Sequence, residues 1–343
     1  MPGTLYGGEL GRKKVNSLKA NPVEIRWHSG LPVYASEPFL RTVSDEYGWI
    51  GGTDEAGNLR CILPYTVIRK LAIRIVRFQV EVVPLERDLS VEEERSFLNS
   101  AVKFLRSTGV DMIMPGMNAA VFRTYPDGAV AAPYGTLIKN LNQPEDDLMK
   151  EIHSTFRYNI RRAIREGVEI KEGSEYLDSS YALIADTLNR SSQTFKKHDE
   201  FKKAILALGE QVRILVAEHE GVLQGCMVAP FSENAAYTWY CGSRPKPVIG
   251  AMHLLHWEAM RRFRELGVKC LNFQGVRIDP EKSSKQEGIM NFKSRFGGSL
   301  VQGYVWKYAF RPLKFAAYDV AIRLLRGGDI VDMERHKLAS SIA

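Results

Sequence analysis

A chain of 343 residues with 45% hydrophobic and 25% charged side chains can bury a full core, and its length points to two domains rather than one. The net charge of +7 fits an anionic ligand such as RNA, a nucleotide-linked substrate or a phospholipid surface, and selects none of them. Signal-peptide and membrane-spanning readings lose support: MPGTLYGGELGRKKVNSLKANP lacks an apolar centre, and no run reaches the roughly 20 apolar residues of a bilayer span.

Along the first part, GWIGGTDEAGNLRCILPYTVIR reads as two β-rich segments around a turn at Asp54–Asn58, and LAIRIVRFQVEVVPL follows as a further strand. A helix comes next in SVEEERSFLNSAVKFLRSTGV, with Ser90 as cap, acids in the first turn and Gly109 as stop. DMIMPG is the short apolar strand after it. A second pass begins near Gln143, with a helix running to Arg165 and further helices near 179–192 and 200–208. QVRILVAEHEG and VLQGCMVAPFS form a hairpin about Glu220-Gly221, and NAAYTWYCGS is a third strand. The amphipathic helix GAMHLLHWEAMRRFRELGV ends at Gly267 and leads into the buried strand KCLNFQGV. A short helix over 288–296, the strand SLVQGYVWKYAF and a helix from Pro312 to Leu325 close the order.

Hairpins followed by strand–helix–strand predict mixed α/β sheets, and the repeated pattern predicts two related domains. We place them at 1–140 and 141–310, with 311–343 as a C-terminal helix and tail. The four cysteines are widely spaced without a Cys-x-x-Cys pair, so they read as reduced, buried thiols of a cytoplasmic enzyme or binding protein.

Three islands carry candidate chemistry. In FRYNIRRAIREGV, Arg157, Arg161, Arg162 and Arg165 fall on one broad flank of a helix ended by Gly167, a pattern shared by polyanion sites and by solvated faces. In SRPKPVIGAM, Arg244 and Lys246 precede Gly250 at a helix start, the arrangement of an anion site on free backbone amides. Pro245 and Pro247 stand where a glycine-richer phosphate loop has small residues. In IMNFKSRFGGSL, Lys293 and Arg295 are flanked by Phe292 and Phe296, and a lysine so held can stabilise an oxyanion or simply lie exposed on a short helix. His253 and His256 lack a third ligand at metal spacing, and Lys196-Lys197 reads as solvent-facing. Nucleophile-elbow, dinucleotide and Walker motifs do not occur, and no side chain stands out as a base.

Together, LNQPEDDLMKEIHSTFRYNIRRAIREGVEI, the long helix with its buried strand, and GIMNFKSRFGG resemble the Fem (FemABX) peptidyltransferase family within the GNAT-like acyltransferases, in order and spacing over roughly 135–310. The resemblance implies two tandem GNAT-like domains. It also implies transfer of an aminoacyl group from aminoacyl-tRNA to the amine of a peptidoglycan-type or other small, nucleotide-linked precursor, with no bound cofactor or metal. Near relatives take acyl-CoA, and a non-catalytic RNA- or anion-binding module is the remaining alternative. It implies that Lys293 is the residue at the reacting carbonyl, positioned by Phe292. Arg157, Asn159, Arg161, Arg162 and Arg295 are implied as motif residues, beside Arg244, Lys246 and Gly250 as the candidate phosphate cradle. One departure stands out: the family's aspartate after the long helix is Asn272 here, which removes a carboxylate that could order the site or accept a proton.

Overall fold

The computed structural model describes residues 17–116 and 120–342. Strand β1 (Lys19–Val23), helix α1 (Glu37–Arg41) and strands β2 (Tyr47–Thr53), β3 (Leu59–Lys70), β4 (Ile73–Phe78) and β5 (Val83–Pro84) open the chain. Helix α2 (Val91–Ser107) begins in a full capping box: the Ser90 hydroxyl accepts from the Glu93 amide while the Glu93 carboxylate accepts from the Ser90 amide. Strands β6 (Met112–Ile113) and β7 (Val130–Asn140) follow. The sequence reading has no strand at β7.

The single helix expected up to Arg165 is two, α3 (Glu145–Glu151) and α4 (Ser154–Arg165). Ile152 turns extended with ψ 135°, His153 caps α4 through Nδ1, and its amide donates to the Arg295 carbonyl at 2.8 Å. A tertiary hydrogen bond thus decides a break that helix propensity does not show. Strand β8 (Glu169–Glu172), helices α5 (Leu177–Asn189) and α6 (His198–Leu208), and the hairpin β9 (Val212–His219) and β10 (Val222–Pro230) come next. The expected strand NAAYTWYCGS is split into β11 (Ala236–Tyr237) and β12 (Tyr240–Ser243). Helix α7 (Ala251–Glu265), β13 (Cys270–Val276), α8 (Lys285–Ser294), β14 (Ser299–Ala309), α9 (Pro312–Arg326) and α10 (Ile330–Ile342) complete the order.

One sheet runs β1-β2-β3-β4-β6-β14-β7-β13-β11, with β5 paired to β3; only β4–β6 and β11–β13 are parallel. A second runs β12-β10-β9-β8. The two halves of the chain are joined because β14 pairs with β6 on one side and β7 on the other. Helix α2 lays Phe97, Leu98 and Leu105 on β3 and β4, while α4 and α7 pack on β9, β10 and β13 through Phe156, Ile160, Leu255 and Phe263. Each such buried side chain contributes roughly 1.5–3 kcal/mol. All four cysteines are free thiols, and burial pushes those of Cys61 and Cys226 up to about 12.

The C-terminal helices are tied to β14 by Lys307. Its Nζ donates to Asp319 at 2.6 Å, Asp332 at 2.8 Å and Asp329 at 3.0 Å. Burial alone would lower this ammonium, but the three carboxylates hold it above its ordinary value. Among the described residues these aspartates are the one group of acidic, His or Cys side chains close enough to share a metal, and the lysine already fills their centre. Replacing Lys307 by Met leaves three largely buried carboxylates short of a cation, so we expect a loss of about 3–5 kcal/mol in chemical denaturation at neutral pH.

Candidate active site

The three islands meet in space. The Phe156 ring on α4 lies nearly perpendicular to His253 on α7 with centroids 4.2 Å apart, with Phe296 at 5.1 Å and Phe292 on α8 at 5.5 Å, and Arg295 sits over its face at 5.9 Å. Helix α4 also abuts the start of α7. Gly250 has φ 90°, and a Cβ there would stand 2.1 Å from the Asn159 carbonyl oxygen. Glycine is required at this position on both counts, left-handed backbone and close approach. No side chain caps α7, whose first amide, that of Ala251, donates to the Val248 carbonyl at 3.0 Å in the loop that carries exposed Arg244 and Lys246.

The four arginines of α4 divide. The Arg157 guanidinium turns back and donates to the Lys150 carbonyl at 2.9 Å and to the Ile152 carbonyl, closing the end of α3. Arg162 is paired with Glu166 at 2.6 Å, whereas Arg161 and Arg165 are exposed. The buried face of α4 is Phe156, Ile160 and Ala163, while Tyr158 and Ile164 point to solvent. Lys196 is also placed otherwise than expected: it tucks beside the ring of Trp239 at 5.2 Å, and burial lowers its ammonium.

The centre of the site is where one extended segment changes sheets. Ala236 and Tyr237 pair with Leu271 and Asn272 of β13, the Thr238 amide donates to the Asn272 carbonyl, and two residues later Tyr240 pairs with β10 instead. Lys293 reaches into the parting between β12 and β13. Its Nζ donates to the Gly275 carbonyl at 3.1 Å and the Gln274 carbonyl at 3.4 Å. Burial pushes this ammonium down to about 8, partly offset by the neighbouring Cys241 thiol. His253 and His256 are pushed to about 4 by burial and are neutral at pH 7.

The carbonyls that receive Lys293 belong to a β-bulge. Gln274 has φ 67°, and the register with β7 shifts between Asn272 and Gly275. The Asn272 side-chain oxygen accepts from the Gln274 amide at 2.7 Å and from the Thr136 hydroxyl at 2.8 Å. The ordering role of the missing carboxylate is therefore kept by the amide, and only the capacity to accept a proton is lost.

On the far side of the bulge lies a cavity of ≈ 20 Å³, room for one water, lined by Tyr34, Glu81, Thr136, Tyr237, Asn272 and Gln274 among others. Gln274 Nε2 donates to the Tyr34 hydroxyl at 2.6 Å, and Tyr34 stacks on Tyr237 at 4.1 Å. Glu81 is exposed, yet the protein crowded about it pushes its carboxyl up to about 7, helped by the charge of Glu94. The sequence reading names no base and passes over Glu81. Its signal is a lone acid inside the apolar run FQVEVV, at a strand end contributed by the other half of the chain.

Residues 154–293 match the family model described as "Acetyltransferase (GNAT) domain". The crystal structure of FemX is similar over 87% of this chain and 99% of its own, with a TM-score of 0.64 at 13% identity. The C-terminal domain of a candidate lysylphosphatidylglycerol synthetase from Agrobacterium fabrum is similar over 84% of this chain and 95% of its own, with a TM-score of 0.51 at 14% identity. A tandem GNAT protein of clavulanic acid biosynthesis covers 80% and 86%, with a TM-score of 0.48 at 12% identity. No curated protein matches the sequence. The fold is an α/β, GNAT-like one with mixed sheets.

Gly250→Ala should lose more than the roughly 1–2 kcal/mol of a left-handed alanine alone, because the Asn159 backbone must also move. Denaturation curves of the variant and the parent chain check this. A loss within that range would mean that α4 and α7 separate freely at this point.

Proposed function

We propose that this chain, whose residues 154–293 match a GNAT acetyltransferase domain, is an acyltransferase that forms amides by moving an aminoacyl group from aminoacyl-tRNA to the amine of a small, nucleotide-linked or peptidoglycan-type precursor. The observation that carries this reading is the Lys293 ammonium, half-buried where β12 and β13 part and held by two main-chain carbonyls. A cation fixed in a partly buried place stabilises negative charge developing on a carbonyl oxygen better than one in water. The uncapped start of α7 with Arg244 and Lys246, and exposed Arg161 and Arg165 on the helix that abuts it, support a donor with an anionic backbone. The name of the A. fabrum neighbour, an aminoacylated-lipid synthetase, belongs to the same aminoacyl chemistry.

In this reading the donor's ester carbonyl lies against Lys293, and the acceptor amine enters from the side of Tyr34, Tyr237 and Glu81. Glu81, as carboxylate, takes a proton from the acceptor ammonium. The free amine attacks, a C–N bond forms and the carbonyl electrons pass to oxygen beside Lys293. Collapse breaks the C–O bond, and the proton still carried by the attacking nitrogen passes to the leaving ribose oxygen, leaving a neutral amide. Both candidate donors are activated, so positioning and charge stabilisation suffice.

Lys293→Met should reduce kcat by about 10²–10³-fold with an unchanged melting curve, and near-normal turnover in that variant would end the assignment. The pH dependence of kcat/KM should be bell-shaped. Activity rises as Glu81 deprotonates through about 7 and falls as Lys293 deprotonates through about 8. Glu81→Gln should lower activity by about 10²-fold or more and abolish the acid limb. A retained acid limb would remove Glu81 from the mechanism. Incubation with charged tRNA or with acyl-CoA, scoring which donor loses its acyl group in the presence of small amines, decides between the donors. Salt-sensitive RNA binding without loss from either donor would mark a binding module instead.

A further inference from the structure

Helix α9 is apolar on two sides. Phe315, Tyr318 and Ile322 pack inward on Ile75, Met112 and Met114. Three of its polar side chains reach partners in the body of the protein. Lys314 donates to the Asp111 carboxylate and the Ala72 carbonyl, both at 2.9 Å, while Asp319 is taken by Lys307 at 2.6 Å and Arg323 at 2.9 Å. The outer face that remains is Leu313, Val320, Leu324 and Leu325 with Ala316 and Ala321 between them, and the three leucines are 88, 82 and 77% exposed. A contiguous run of exposed leucines on a surface helix marks a face that meets another apolar surface.

A second element reaches the same place. The β3–β4 hairpin turns at Leu71, a fully exposed leucine with φ 53°, where glycine or asparagine is the ordinary occupant. The Lys314–Ala72 hydrogen bond sets this tip beside the first turn of α9 and Leu313. Backbone strain is spent here to present an apolar side chain to solvent. The rim carries Arg311, Lys314 and Arg323 along α9, the last two also pairing with Asp111, Asp319 and Asp332, while Arg69, paired with Glu46, and Lys70 flank the hairpin tip.

We propose that the outer face of α9, with the Leu71 tip, docks on an anionic membrane surface, its leucines entering the boundary between head groups and acyl chains and its cations lying at the lipid phosphates. Among the described residues no helix is long and apolar enough to cross a membrane, so the attachment lies in the plane of the interface. A second copy of the chain would bring two basic rims together, and charge therefore favours lipid. The docking is independent of acyl transfer, and its readout is binding alone.

Sedimentation of the full chain with phosphatidylcholine vesicles, with and without phosphatidylglycerol, tests this. Binding is expected to the anionic vesicles, to weaken as salt is raised, and to fall about tenfold or more in Leu71→Ser/Leu324→Ser, whose far-UV spectrum and melting temperature stay those of the parent. Arg311→Glu should weaken binding to anionic vesicles alone. Failure to sediment with either vesicle, or equal binding by the double serine variant, overturns the proposal. A concentration-dependent dimer that the serine changes dissolve, without vesicle binding, also overturns it and assigns the face to a second copy.

Discussion

The segment from Ala236 to Ser243 belongs to two sheets, and the candidate site depends on that change of partner. At Tyr237 it is held by β13, and at Tyr240 by β10. Main-chain hydrogen bonds that would have joined the neighbours are given up between these points, which costs stability unless other groups replace them. The replacement is a lysine. Lys293 donates to carbonyls of Gln274 and Gly275, so the parting of the strands creates both the room for a buried cation and part of its hydrogen bonding. Had the segment continued along β13, Lys293 would have no place between the strands.

The bulge in β13 makes that arrangement specific. Asn272 holds the Gln274 amide through its side-chain oxygen and is itself fixed by Thr136 of β7, so the left-handed Gln274 is set by two elements. Gly275 completes it, since a Cβ there would meet the Tyr134 ring at 2.6 Å. The same bulge turns the Gln274 amide group toward Tyr34, at the other end of the sequence. A single irregularity therefore links the cation on α8 with the tyrosine pair and acid lining the opposite cavity.

Much of this was legible in the chain. The capping serine at Ser90, the turns at Asp54–Asn58 and Glu220-Gly221 and the glycine stops at Gly109, Gly167 and Gly267 are local signals, and each appears where local chemistry puts it. The three islands were recognisable as motifs and do converge. What the chain did not show is non-local. Strand β7 contains Pro133 and Gly135 and owes its existence to partners on both sides, β13 and β14. The break between α3 and α4 depends on Arg295, and the inward turn of Arg157 on that break. Glu81 lies outside all three motifs, because a residue can line a cavity with Gln274 without any periodicity relating the two.

The separation of Glu81 from Lys293 is itself informative. Two opposite charges in direct contact would hold each other ionised, driving the carboxyl down and the ammonium up, and neither would change state near neutral pH. Here the shifts run the other way. Burial raises Glu81 to about 7 and lowers Lys293 to about 8, which requires that neither neutralises the other. The bulged strand between them achieves this by giving Lys293 uncharged carbonyls as partners and leaving Glu81 with no cation paired to it among the described residues. Neither group neutralises the other, and each keeps a shift set by the protein around it. A pair designed only for stability would have been allowed to touch.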